Sequence, residues 1–147
     1  PHLTVTLLDS LNKRVRFLTE VTAAMGLQNV RCIHARAEEA ARTAKHRAAY
    51  DIVVSRAVAR LPILLEYTLP FVRVGGTLLA LKGRAYAEEQ KEGQRAAEVL
   101  GGSRITARPV HLPGLDDVRA ILTVTKERQT PAAYPRGGGA PTRRPIV

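Results

Sequence analysis

The sequence predicts an α/β fold: a parallel sheet wound with helices and closed by an antiparallel hairpin. Three observations carry this expectation. Short β-branched runs alternate with stretches of helical period as far as Leu100, and such alternation demands a parallel sheet with helices on both faces. The run Asp51-Ile52-Val53-Val54-Ser55 is apolar at every interior position, as strands buried on both faces are. The last two runs are joined only by Leu112-Pro113-Gly114-Leu115-Asp116-Asp117, too short a connection for anything but an antiparallel pair.

Each element follows from local chemistry. Leu3 to Leu8 is a β-branched, Leu-rich run ending at Asp9, with Ser10 placed as the N-cap of the next helix. Leu11, Val15, Leu18, Val21 and Met25 then recur at helical spacing, and Gly26 supplies a left-handed stop. Val30 to His34 reads as a second strand, leading through Arg36-Ala37-Glu38-Glu39 into an Ala-rich helical stretch. After the strand Asp51 to Ser55, Pro62 opens a helix and Pro70 bends or ends it. Gly75-Gly76 is read as a turn into a fourth strand, Thr77 to Leu81, which runs into Lys82-Gly83. Ala85 to Leu100 is helical and closes at Gly101-Gly102; strands follow over roughly Ile105 to His111 and Val118 to Lys126. From about Glu127 the chain is rich in Pro and Gly with no apolar period. Residues 1–126 are therefore expected as one domain and 127–147 as a basic tail.

Composition narrows the function. Twenty-three Lys and Arg stand against 13 Asp and Glu, for a net charge of +10, which suits a polyanionic partner, nucleic acid being the commonest. Aromatic residues are only 4% with no Trp, so base-stacking platforms are poorly supported. The single Cys32 permits no internal disulfide and fits a reducing compartment. Charged residues or Gly interrupt every apolar run, and Pro1-His2-Leu3 leads into a strand without a secretory pattern. A cytoplasmic location is expected.

Ligands of doubly wound sheets bind at the carboxyl ends of strands, and those ends here carry Asp9, the Ala37-Glu38 loop, Arg56 and Lys82-Gly83. Asp9 suits a cofactor ribose diol, since a carboxylate offers two acceptor oxygens; it could equally cap a helix. Glu38 is placed to accept from an adenine amine, or is a solvated glutamate at a positive helix end. Arg56 leaves an apolar strand and could pair with a carboxylate or with an RNA phosphate. The four His and one Cys lack metal-ligand spacing, so no metal site is expected. Neither a nucleophile elbow nor an Asn-Pro-Pro-Tyr run is present; Ser55-Arg56-Ala57 stands where the latter would be. A site without a general base suits an acceptor such as a purine N7, which has an in-plane lone pair and no proton to lose.

A terminal antiparallel hairpin after such alternation is the ending of a class I, Rossmann-like methyltransferase sheet. The residues also resemble one family. Leu8-Asp9-Ser10-Leu11-x-Lys13-Arg14-Val15-x-Phe17-Leu18, Arg36-Ala37-Glu38, Ser55-Arg56-Ala57-Val58-Ala59, Gly75-Gly76 with Leu81-Lys82-Gly83, and the tail Thr130-Pro131-x-x-Tyr134-Pro135-Arg136 are similar to the 16S ribosomal RNA guanine-N7 methyltransferases. This family is known as RsmG or glucose-inhibited division protein B. The resemblance implies S-adenosylmethionine as cofactor, contacts to it from Asp9, Ser10, Leu11, Ala37, Glu38 and Arg56, and methylation of one guanosine of 16S rRNA, free or in the small ribosomal subunit, by a monomer. The family's first strand and glycine-rich loop have no match here, the loop being expected just before Pro1. The missing strand would lie between those ending at Asp9 and Ser55. RNA phosphates are expected to meet Lys13, Arg14, Arg60, Lys82, Arg84, Arg136, Arg143 and Arg144. Two rivals are a non-catalytic RNA-binding or ribosome-assembly module, which charge and tail would serve equally, and a nicotinamide oxidoreductase, for which the tyrosines lack a Tyr-x-x-x-Lys pair.

Overall fold

The computed structural model describes residues 2–147; Pro1, where the expected glycine-rich loop would join, lies outside the described residues. The chain forms two compact units that meet between Ala40 and Ala41. In the first, strand β1 (Val5–Asp9) is followed by helix α1 (Asn12–Ala24), strand β2 (Val30–His34) and a single helical turn, α2 (Ala37–Ala40). The two strands are parallel, in register from Val5 beside Val30 to Asp9 beside His34. Gly26 takes the left-handed conformation expected of it, φ +67°. The capping expectation is corrected: the N-cap of α1 is Leu11, not Ser10, because the Asp9 carboxylate itself accepts the Leu11 amide at 2.8 Å. Of the apolar stripe on α1, Val15 is buried, while Leu11 and Met25 stand exposed. The Ala-rich stretch beyond α2 is a series of turns rather than a helix. Helix propensity there loses to tertiary hydrogen bonds: the Ala48 and Ala49 amides donate to the Pro70 and Phe71 carbonyls at 2.8 and 3.0 Å.

The second unit carries strand β3 (Tyr50–Arg56), helix α3 (Leu61–Thr68), a 3-10 turn (Leu69–Phe71), strand β4 (Val72–Lys82), helix α4 (Tyr86–Val99), strands β5 (Thr106–Val110) and β6 (Arg119–Thr125), and the short helix α5 (Ala140–Arg143). The sheet order is β3-β4-β6-β5. β3 and β4 are parallel, and β6 is antiparallel to both of its neighbours, which is the hairpin the short connection requires. Alternation puts Leu78, Ala80, Leu122 and Val124 on one face, where they pack with Leu61, Leu64, Leu65, Ala96, Ala97 and Leu100 of the helices.

Two expectations for this sheet are corrected. Gly75-Gly76 is no turn but lies inside β4, where the register against β3 shifts between Tyr50 and Ile52. Gly75 supplies φ +83°, and a Cβ on Gly76 would come within 2.7 Å of the Asp51 carbonyl, so the glycines make a bulge and a close strand approach. β3 is not buried on both faces: Val53 packs against the core, whereas Ile52 and Val54 are 59% and 61% exposed.

Residues 127–147 have little regular structure, as their composition implies, yet they are packed into the second unit rather than trailing from it. Arg47 donates to the carbonyls of Thr130, Pro131 and Tyr134 at 2.9, 3.2 and 2.9 Å, and Arg42 Nε to that of Pro135 at 2.9 Å. Lys126, 2% exposed, donates to the Leu69 carbonyl at 2.6 Å and to Thr130 Oγ1 at 2.7 Å. Glu66, fully buried, receives the Arg136 amide at 2.8 Å and its Nη2 at 2.6 Å. A segment without an apolar stripe is thus held by side chains that satisfy its otherwise orphaned carbonyls.

Candidate active site

In the first unit the carboxyl ends of β1 and β2 lie side by side, so Asp9, Ser10 and Leu11 share one end with Ala37 and Glu38. Two contacts tie the ends together: the Ala35 amide donates to the Asp9 carbonyl at 3.2 Å, and His34 Nε2 lies 3.1 Å from the Ser10 carbonyl. Asp9 is a cap, through Oδ1, and still presents Oδ2, which among the described residues meets only the Arg14 guanidinium at 3.4 Å. That second oxygen is the acceptor a ribose diol requires. Glu38 is 6% exposed, and its Oε1 accepts from Arg36 Nε at 2.8 Å. A solvated helix-opening glutamate is therefore excluded. Burying a carboxylate is costly unless it is paired, and Arg36 supplies the pairing.

In the second unit a pocket of about 700 Å³ opens where β3 and β4 end, lined among others by Arg56, Val58, Lys82, Glu89, Arg119 and Ile121. Arg56 is exposed, and among the described residues its guanidinium has no hydrogen-bond or ion-pair partner. It leads into Ala57, whose φ of +52° is unusual for a residue with a side chain. Sequence reasoning missed Arg119. Its Nε is buried without a hydrogen-bond partner, and its Nη2 stands 3.7 Å from Asp117. The signal was present: an antiparallel last strand begins where its parallel neighbour ends, and Ala120 indeed pairs with Lys82. Glu89 was also missed. It accepts the Leu61 amide at 2.8 Å and pairs with Lys82 at 2.7 Å, so the one carboxylate of the pocket wall is already committed.

The eight expected phosphate ligands divide. Lys82 Nζ is turned inward, on the Ala59 carbonyl at 2.5 Å and on Glu89, and Arg136 is held by buried Glu66. Each is thus committed to a carboxylate within the second unit, Glu89 largely enclosed and Glu66 fully buried. Arg60 is bidentate to Glu92 at 2.7 and 2.6 Å, which raises its pKa above the ordinary arginine value, mainly through that hydrogen bond. Arg84 is paired with Asp117, whose own pKa that hydrogen bond lowers. Arg14 faces Asp9. Lys13, Arg143 and Arg144 are exposed and have no ion pair among the described residues.

The strand order, the terminal hairpin and the loaded strand ends define a class I methyltransferase fold. TYW2 of M. jannaschii, in complex with AdoMet, superposes with TM-score 0.63 at 18% identity, over 85% of this chain and 58% of its own. A precorrin-6y C5,15-methyltransferase of Geobacter metallireducens gives 0.60 at 13% identity, over 84% of this chain and 68% of its own. At such identities the likeness is one of fold. The chain belongs to the family described as rRNA small subunit methyltransferase G, whose model matches residues 1–113. Relatives named ribosomal RNA small subunit methyltransferase G are 47% identical over 147 residues in Desulforamulus reducens and 48% identical over 147 residues in Ligilactobacillus salivarius. They match 100% and 99% of this chain, which spans 61% of the length of each.

Proposed function

We propose that this protein transfers a methyl group from S-adenosylmethionine to N7 of a specific guanosine in 16S ribosomal RNA, in the cytoplasm. Membership of the family supports the reaction and substrate, and no helix among the described residues is long and apolar enough to cross a membrane. The observation that carries the reading is the pocket at the ends of β3 and β4: among the described residues it offers guanidinium donors and apolar wall but no uncommitted carboxylate or imidazole. Such a wall can hold a nucleotide and has nothing to deprotonate it. A guanine N7 needs no deprotonation.

The residues of the first unit fit the nucleoside part of the cofactor. Asp9 Oδ2 would take the ribose hydroxyls, the buried Glu38 would take the adenine amine, and Ser10, Leu11 and Ala37 would line the same strand ends. When bound, the cofactor supplies a sulfonium-activated methyl group. Arg56 and Arg119 hold the RNA strand by its phosphates, and Val58 and Ile121 exclude water from beside the base. Lys13, Arg143 and Arg144 add phosphate contacts outside the pocket. Orientation provides the acceleration, since fixing two partners in line replaces a bimolecular encounter.

The test is methyl transfer from labelled S-adenosylmethionine to 16S rRNA and to small subunits by the full-length protein. N7-methylguanosine would be mapped by borohydride reduction and aniline cleavage. A single cleavage site is expected. Saturable RNA binding without transfer would favour an assembly module instead.

A further inference from the structure

Lys82, expected on the RNA, does something else. Its ammonium is sunk beneath the loop that runs from Arg56 to Arg60, donating to the Ala59 carbonyl at 2.5 Å and pairing with Glu89 Oε2 at 2.7 Å. The two side chains are 9% and 13% exposed. The same Glu89 oxygen accepts the Leu61 amide at 2.8 Å, one of the donors a helix start leaves unsatisfied. One carboxylate of α4 therefore fastens β4 and the beginning of α3, and with them both flanks of Arg60. Arg60 is itself tied to Glu92, one turn further along α4. Just ahead of these fastenings come Arg56, unpartnered among the described residues, the strained Ala57 and the exposed Val58, all of them pocket wall.

We propose that Lys82 and Glu89 are a positioning pair that fixes the Arg56–Arg60 loop in the shape that receives the acceptor nucleotide, and that Lys82 touches no phosphate. This rests on the pocket being the acceptor site, as proposed above. An ammonium so enclosed and held on both sides is a poor phosphate ligand, because reaching an external anion would leave the largely enclosed Glu89 with the Leu61 amide but no counter-charge. The left-handed Ala57 would relax toward common backbone angles once the loop were released, carrying Arg56 out of place.

The experiment uses the full-length protein with Lys82→Met, Glu89→Gln and the double substitution, and Lys82→Arg as the conservative variant. For each single variant kcat/KM on RNA should fall on the order of 10–100-fold, the cost of about an ångström of misplacement. The double should be no worse than the worse single, because both remove one coupled contact. S-adenosylmethionine affinity should stay within twofold and Lys82→Arg should recover part of the loss. The slope of log RNA affinity against log salt should match the unmodified protein, whereas a lost phosphate contact lowers its magnitude by about 0.7–0.9. Amide hydrogen exchange at Leu61, whose N–H donates to Glu89, should quicken at least tenfold in both single variants, a readout that holds even if the protein methylates no rRNA. If the unmodified protein shows no transfer while exchange still quickens, the reaction reading fails and the loop clamp survives. Unchanged exchange would overturn the proposal. So would additive losses, or a shallower salt slope confined to Lys82→Met. Loss of active fraction at constant KM with a lowered Tm would reduce the pair to a plain stabilising contact, which also overturns it.

Discussion

Replacing Arg136 by Met should be among the most damaging single changes in the second unit. Glu66 has no exposed surface, and the hydrogen bonds found for its two oxygens all come from Arg136: the amide at 2.8 Å, Nε at 2.9 and 3.3 Å, and Nη2 at 2.6 Å. The amide would remain in Arg136→Met; the three guanidinium bonds would not. Breaking a buried pair on one side strands the other charge, at a cost of about 3–5 kcal/mol. At about 2–4 °C per kcal/mol for a protein of about 150–250 residues, Tm should drop by about 6–20 °C. Adding Glu66→Gln should recover part of the deficit, since a neutral amide has no charge to strand. Differential scanning calorimetry of the unmodified protein, the single variant and the double variant decides the matter. A shift in Tm below 2 °C, or no recovery in the double variant, would refute the reasoning.

Other outcomes follow from the same structure. Burial, and to a lesser degree Arg47, lowers the pKa of Lys126 from 10.5 to about 8; between those values the unfolded chain holds a proton that the folded chain sheds, so this group's contribution to stability rises with pH. Denaturant titrations from pH 7.5 to 10.5 should show that rise in the unmodified protein and a flatter profile in Lys126→Met. Arg56→Ala should lower methyl transfer by about 10²-fold with Tm changed by no more than a few degrees, because among the described residues the guanidinium has no hydrogen bond or ion pair to lose; Arg56→Lys should also fail if the contact is planar and bidentate. Normal turnover in either would return Arg56 to the ordinary surface.

Elements set by local chemistry were legible: the stop at Gly26, the opening of α3 at Pro62, and the antiparallel pairing of β5 with β6. What escaped is what depends on partners distant in the chain. Gly75-Gly76 carries the composition of a turn, and nothing near it in sequence reveals that the Gly75 amide donates to Lys126 and that Gly76 accepts from it, both at 2.8 Å. A helix written in alanines at 40–41 and 48–49 gives way to carbonyls supplied by Pro70 and Phe71. The strand ends that carry Asp9, Glu38 and Arg56 were readable because each closes a run of β-branched and apolar residues. Glu89 was not, because a glutamate one turn into an exposed-looking helix is ordinary until the Lys82 ammonium and the Leu61 amide arrive at it.

The charge count and the pairing of individual cations are separate quantities. A net charge of +10 suggests a polyanion, yet Arg60, Lys82, Arg84 and Arg136 are each paired with a carboxylate. Pairing does not weaken the electrostatic reading as a whole, because each pair removes one charge of either sign and leaves the excess where it was. The excess must therefore reside on cations without such partners, among them Lys13, Arg143, Arg144 and Arg56. Long-range attraction to RNA is set by the net charge and survives intact, while the salt slope counts only the cations that meet phosphate. Composition fixes the first quantity. The second becomes visible only when each cation's partner is known.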